Sequence, residues 1–140
     1  MNYKGPIVIV DDDEDDQQIY KDAFDSLGYG NKIIPFEDGE KAFEYLQQAE
    51  EMPFLIISDV RLPKIDGFGL KKKLLNDKKL GSASIPFVFF TSAKNKETVK
   101  DAFNVSVQGF FLKEHSLKEL ENTIKTIMDY WSKSFTPNKG

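Results

Sequence analysis

Asp11 and Asp12, Asp59, Thr91 and Ser92, and Lys113 each stand directly after a short apolar run. Carboxylates that converge in one crevice raise each other's pKa values and cannot all ionise without a compensating cation. The chain has no cysteine, and no histidine ends any of these runs, so a ligand set drawn from them is all oxygen. Such a set, with room for water, suits Mg²⁺, with Mn²⁺ as a substitute. A Mg²⁺ ion held by few carboxylates fills its shell with water and phosphate oxygens. Lys113 then offers a point charge, and Thr91 a hydrogen bond, to a phosphoryl group. Phosphoryl transfer depends mainly on positioning and charge neutralisation, and a carboxylate so placed can itself attack to give an acyl phosphate.

Five short apolar segments must position these residues: PIVIV (6–10), KIIPF (32–36), FLIIS (54–58), PFVFF (86–90) and GFFL (109–112). Most are continuous rather than alternating, the pattern of strands covered on both faces. Pro35 lacks an amide donor and marks the second as an edge strand. Helical periodicities lie between them. Ile19, Ala23, Phe24 and Leu27 line a first helix that Gly28 ends. Ala42, Phe43 and Leu46 line a second, opened by Asp38, and Leu70, Leu74 and Leu75 a third after Asp66-Gly67. Val99, Ala102 and Phe103 mark a short fourth after Asn95. A fifth opens on a capping box of Ser116 and Glu119 and carries Leu117, Leu120, Ile124, Ile127, Met128 and Trp131 as its stripe. Five strands alternating with five helices predict a doubly wound α/β fold, a parallel sheet with helices on both faces. Ligands in that architecture sit outside the carboxyl ends of the strands, at the switch point of strand order. The carboxylates, hydroxyls and ammonium all stand there.

Composition narrows the classes. A chain of 140 residues is one domain by length and buries roughly two-thirds of its unfolded surface. Its 40% hydrophobic and 30% charged residues are those of an ordinary globular protein. A net charge of −4 without a basic stripe argues against nucleic acid as a direct ligand. The run Lys71, Lys72, Lys73 falls in the third helix, where consecutive residues splay about 100° apart, and reads as a solvated face. Neither a signal-peptide pattern nor a bilayer-spanning run is present, so a cytoplasmic location without a membrane partner is expected. His115 falls in a predicted loop and reads as solvent-exposed rather than as a phosphodonor. The twelve phenylalanines read mainly as core, and Tyr130 with Trp131 could extend a dimer face if exposed.

In order along the chain, IVIVDDDEDD, LIISDVRLPKIDGFGL, IPFVFFTSA and GFFLKEHS resemble the signature blocks of the response-regulator receiver domain of two-component signalling. The resemblance runs from about residue 6 to 131. It implies a (βα)5 flavodoxin-like fold with strand order 2-1-3-4-5. Residues 1–135 would form the receiver domain and 136–140 a disordered tail, with no output domain. It further implies that Asp59 is the phosphoacceptor, that Asp12 and Asp59 bind Mg²⁺ directly, and that Asp11 binds it through water. The backbone carbonyl of Arg61 would complete that site. Thr91 matches the hydroxyl that moves towards the phosphoryl group, Phe110 the aromatic switch that turns inward, and Lys113 the lysine that pairs with the phosphoryl oxygens. Of the six acids at 11–16, two then bind metal. The other four, Asp13 to Asp16, are expected to cap the first helix, where negative charge suits its dipole.

Two positions depart from the pattern. Glu114 rather than proline follows Lys113, and a cis bond costs several kcal/mol without proline, which favours a trans, differently shaped loop. Ser92 stands where alanine is usual, adding a hydroxyl. Arg61 is the one arginine among 19 basic residues; its guanidinium either is incidental or alters the lifetime of the acyl phosphate. The implied partners are a histidine kinase or histidine phosphotransfer protein, and a downstream protein on the face of the fourth helix, fifth strand and fifth helix. The chain would act as a monomer or phosphorylation-dependent homodimer, and would catalyse only its own phosphorylation and dephosphorylation. Two rival readings stand beside this one. A haloacid-dehalogenase-type phosphatase would use Asp11, Asp13, Thr91 and Lys113, but lacks a Thr after Asp13 and an acidic pair after Lys113. A pseudo-receiver would keep the fold and bind partners without phosphorylation; the complete residue set argues against it.

Overall fold

The five apolar segments form strands β1 (Ile7–Val10), β2 (Ile33–Phe36), β3 (Leu55–Ser58), β4 (Phe87–Thr91) and β5 (Gly109–Leu112). In a computed structural model that describes residues 4–92, 96–113 and 116–134, they pair in parallel in the order β2-β1-β3-β4-β5. Pro35 lies in β2, at the sheet's edge, as expected. The bond after Lys113, the setting of His115, the start of the fourth predicted helix at Asn95 and the 136–140 tail lie outside the described residues.

Successive side chains of a strand point to opposite faces. Ile7, Ile9, Leu55, Ile57, Val88 and Phe90 pack with α1 (Glu14–Ser26) and α6 (Leu117–Lys133) on one side. On the other, Val8, Val10, Ile56, Phe87 and Phe89 pack with α2 (Gly39–Gln48), α3 (Gly67–Asn76), α4 (Lys78–Ala83) and α5 (Lys96–Asn104). Covering both faces is what makes these strands apolar at every position. Each large side chain so buried contributes about 1.5–3 kcal/mol, and Phe24, Phe87, Phe89 and Phe90 are among those fully enclosed. Side-chain oxygens of Asp13, Asp38, Asp66, Asp77 and Ser116 accept the free amides that open α1, α2, α3, α4 and α6.

Four local expectations are corrected. Helix α4 is a sixth helix that periodicity did not predict, because its six residues bury one apolar side chain, Leu80. Asp77 makes it possible: its backbone N–H closes α3 on the Lys73 carbonyl, while its carboxylate caps α4 through Lys79 N and Leu80 N at 3.0 Å. In α1 the buried face holds Tyr20 rather than Ile19, because the Tyr20 ring packs edge-on against Phe90 at 5.7 Å. Leu75, Phe103 and Leu117, placed on apolar stripes by their spacing, are exposed.

The fourth concerns the lysine run. Lys72 and Lys73 are exposed, but Lys71 is only 5% exposed, its ammonium 5.4 Å from the centre of the Phe87 ring. Among the described residues no carboxylate lies within ion-pairing distance of it. Burial therefore lowers its pKa unopposed. The folded chain binds that proton less tightly than the unfolded chain does, so the penalty is full below the lowered pKa and fades as pH rises towards the ordinary lysine value. Lys71→Met keeps the stem and removes the charge. It is expected to stabilise the chain near neutral pH by about 1–2 kcal/mol, or about 3–10 °C in Tm, with the gain shrinking towards pH 10. Thermal melts across that range check this; a lower Tm for the variant would show that the contact with the Phe87 ring outweighs the burial of the charge.

Candidate functional site

Pairing continues one residue beyond the strand ends, and this fixes the acids. Asp11 N donates to Phe36 O at 3.0 Å, and Asp59 N donates to Val10 O at 2.9 Å. The side chains of two neighbouring strands are thereby brought together. One carboxylate oxygen each from Asp11, Asp12 and Asp59 lie within 4.8 Å of one another. Asp11 is 1% exposed, Asp59 half-buried and Asp12 exposed. Asp11 is held from three directions: its Oδ1 accepts from Asp13 N at 3.0 Å, its carbonyl from Gln17 Nε2 at 2.7 Å, and its Oδ2 faces Lys113. Asp59 Oδ1 accepts from Val60 N at 2.7 Å.

Lys113 joins the group from β5. Leu112 is in register with Thr91, and Lys113 N donates to Thr91 O at 3.0 Å. The ammonium then reaches Asp16 Oδ2 at 2.7 Å, Asp59 Oδ2 at 2.8 Å and Asp11 Oδ2 at 3.0 Å. Burial alone would lower its pKa, but pairing with the Asp16, Asp59 and Asp11 carboxylates outweighs burial and holds it above the ordinary value. In Asp11 burial wins instead. Burial pushes its carboxyl up to about 6, against the opposing Asp13 amide and Lys113 charge. Its Oδ2 faces the ammonium without an aligned hydrogen bond, so a buried acceptor is left under-satisfied.

Gly67 closes the floor. Its N–H donates to Val60 O at 2.8 Å, and a Cβ there would fall on the Asp59 carbonyl and the Phe89 ring. The Asp66-Gly67 pair thus serves two needs, a cap for α3 and an unobstructed approach to the backbone of Asp59. Thr91 is 2% exposed at the end of β4. Phe110 is half-buried, its ring centre 6.4 Å from that of Phe89. Arg61 and Ser92 are exposed.

Of the expected residues, Asp11, Asp12, Asp59 and Lys113 meet directly, and Thr91 stands on the strand between Asp59 and Lys113. The sequence reading missed Asp16. Asp13 does cap α1, accepting from Asp15 N and Asp16 N, but the Asp16 carboxylate pairs with Lys113 instead of capping. Asp13 is engaged as the cap of α1, its Oδ1 accepting two backbone amides, which does not favour it as the second acid of a haloacid-dehalogenase scheme. Three clustered carboxylates with one buried, under-satisfied oxygen form an all-oxygen donor set that fits a divalent metal ion.

Residues 7–125 match the family model described as the response regulator receiver domain. Among curated relatives, the probable methanogenesis regulatory protein FilR2 of Methanothrix harundinacea is 28% identical over 89% of this chain and 82% of its own length. Response regulator Rcp1 of Synechocystis sp. is 27% identical over 93% of this chain and 90% of its own length. The Mn²⁺-bound form of response regulator Rcp1 superposes with a TM-score of 0.80 at 26% identity, covering 96% of this chain and 99% of that one. The phosphorylated cyanobacterial phytochrome response regulator RcpA superposes with a TM-score of 0.84 at 25% identity, covering 97% of this chain and 99% of that one. Other relatives, transcriptional regulators, are longer, and the chain spans about half their length.

Proposed function

The chain belongs to the response regulator receiver domain family, signalling modules rather than conventional enzymes, and from that premise we propose that Asp59 is its phosphoacceptor. The observation that carries this is the position of Asp59, the half-buried member of the acid cluster, with Oδ1 held by Val60 N and Oδ2 at 2.8 Å from the Lys113 ammonium. A carboxylate oxygen of Asp59 attacks the phosphorus of a phosphohistidine on a histidine kinase or phosphotransfer protein. The phosphorus–nitrogen bond breaks, the imidazole leaves, and an acyl phosphate remains. Lys113 pairs with its oxygens in place of the Asp59 carboxylate, and Thr91 moves in to donate a hydrogen bond.

Asp11, Asp12, Asp59 and the Arg61 carbonyl would hold Mg²⁺, or Mn²⁺ in its place. When bound, the ion supplies neutralisation of the charge gathered on the phosphoryl group. Movement of Thr91 and inward turning of Phe110 then reshape the face of α5, β5 and α6. Phe103, 56% exposed on α5, with the exposed Leu112 at the end of β5 and Leu117 at the start of α6, supplies apolar surface on these elements for a downstream protein or a second copy. Residues 1–135 act as this receiver unit, in the cytoplasm.

Intact mass after incubation with acetyl phosphate tests the reading. One added phosphoryl group is expected with Mg²⁺ and none with chelator. A chain that neither gains the group nor binds beryllofluoride is a phosphorylation-independent binding module instead.

A further inference from the structure

The Lys113 ammonium stands within 3.0 Å of three carboxylates, donating hydrogen bonds to Asp16 and Asp59 and making a charge contact with Asp11. Two of these, Asp11 and Asp59, belong to the cluster that suits a divalent cation; the third, Asp16, does not. A cation that draws on the cluster therefore competes with Lys113 for two of its three partners. The ammonium cannot simply withdraw into the fold. It is 21% exposed, tied by its backbone to Thr91, and an unpaired charge there is costly. Asp16 makes the shortest of the three contacts, 2.7 Å, from the first turn of α1. Its own side chain is 30% exposed, and its carboxylate takes no part in capping the helix.

We propose that Asp16 is a positioning residue, the counter-ion that keeps Lys113 in place when a divalent cation takes up Asp11 and Asp59. With Asp16 present, Lys113 loosens its hold on the two shared carboxylates and stays beside Asp59 with its charge compensated. Without it, the ammonium has only Asp11 and Asp59 as partners, and it becomes a direct competitor of the cation. Asp16 thus sets how easily the site loads, separately from the reaction that follows. The part concerning phosphorylation rests on the receiver reading; the part concerning cation binding does not.

The test uses the full chain and Mg²⁺ alone. Calorimetric Kd values are compared for wild type, Asp16→Asn, Asp16→Glu, Lys113→Met and the Asp16→Asn/Lys113→Met double variant. Asp16→Asn is expected to weaken Mg²⁺ binding by about fivefold, the scale of a partly exposed charge pair, while Asp16→Glu recovers most of it. In the Lys113→Met background the effect is expected to fall below about twofold, since only the bare loss of a nearby charge remains. Should Lys113→Met not fold, ionic strength answers the same question. A contact pair leaves the fivefold loss standing at 0.5 M salt, roughly where the screening length falls to a few ångströms, and a bulk-charge effect does not. Phosphorylation by acetyl phosphate is expected to slow in Asp16→Asn at limiting Mg²⁺ and to return to within about twofold of wild type at saturation. An unchanged Kd in Asp16→Asn, or a loss equal in both Lys113 backgrounds, overturns the proposal. If the wild type takes up no phosphoryl group, it is the receiver reading that fails, and the Kd values alone still decide the role of Asp16.

Discussion

Asp59→Asn is expected to reduce phosphoryl uptake from acetyl phosphate by about a thousandfold or more, the scale on which an enzyme loses rate with its nucleophile. The substitution is informative because it changes little else. An Asn Oδ1 still accepts the Val60 amide that now bonds Asp59 at 2.7 Å, so the loop after β3 and the cap at Asp66 should survive. Lys113 keeps Asp11 and Asp16 as partners. What disappears is the anionic oxygen at 2.8 Å from the ammonium, and an amide is a poor nucleophile towards phosphorus. Asp11 and Asp12 are the competing candidates. Asp11 is buried with its carboxyl pushed up to about 6, so part of the population is protonated near that pH. Asp12 is exposed, and no contact with Lys113 draws it to the position a phosphoryl group would take. Intact mass of the three Asp→Asn variants separates them. Uptake that persists in Asp59→Asn and vanishes in Asp11→Asn would move the nucleophile to β1 and revive the phosphatase reading.

How far these residues declare themselves beforehand depends on the range over which each is determined. Strands are local: a run such as Ile7–Val10, wholly enclosed, is apolar at every position because it feeds two cores, and that pattern is visible in four residues. The β2 edge follows from one missing amide at Pro35. The strand-end acids follow in turn, since the residue after a buried parallel strand emerges at the sheet's rim. Helix faces are less legible. Periodicity gives a stripe about a turn wide, and whether Ile19 or Tyr20 occupies its centre is decided by Phe90, which lies across the sheet interface. Lys71 sits where α3 turns towards Phe87, and nothing in three consecutive lysines distinguishes the one that is buried. Asp16 is the extreme case. Its partner Lys113 is 97 residues away, and the contact exists only because the first turn of α1 and the end of β5 are brought to the same rim by strands between them. Six acids in a row conceal the one that reaches out.

Asp11 should also expose the opposition between stability and function at this rim. In the metal-free chain burial raises its carboxyl from the ordinary 3.8 to about 6. An acid whose folded pKa lies above its unfolded pKa binds its proton more tightly in the folded state. The stability this gives is complete below pH about 4 and is lost as pH rises through about 6. That difference corresponds to up to about 3 kcal/mol withheld at pH 7.5. Asp11→Asn removes the titration yet preserves the acceptor for the Asp13 amide, and Lys113 retains two carboxylates. At pH 7.5 in chelator the variant is expected to melt about 5–10 °C above wild type, with the difference closing as pH falls towards 4. Mg²⁺ should reverse the order of gains: it stabilises wild type by mass action and the variant much less, because one of three cluster carboxylates is gone. Melting curves at pH 4.5, 6 and 7.5, with chelator and with Mg²⁺, read both effects from one set of samples. A variant less stable than wild type at pH 7.5 without metal would mean that the Lys113 pair outweighs the burial of Asp11, and that the acid is kept for the fold. The expected result means the reverse: a strand end carries a charge that the fold alone does not favour, and the cation that the charge attracts is what makes it tolerable.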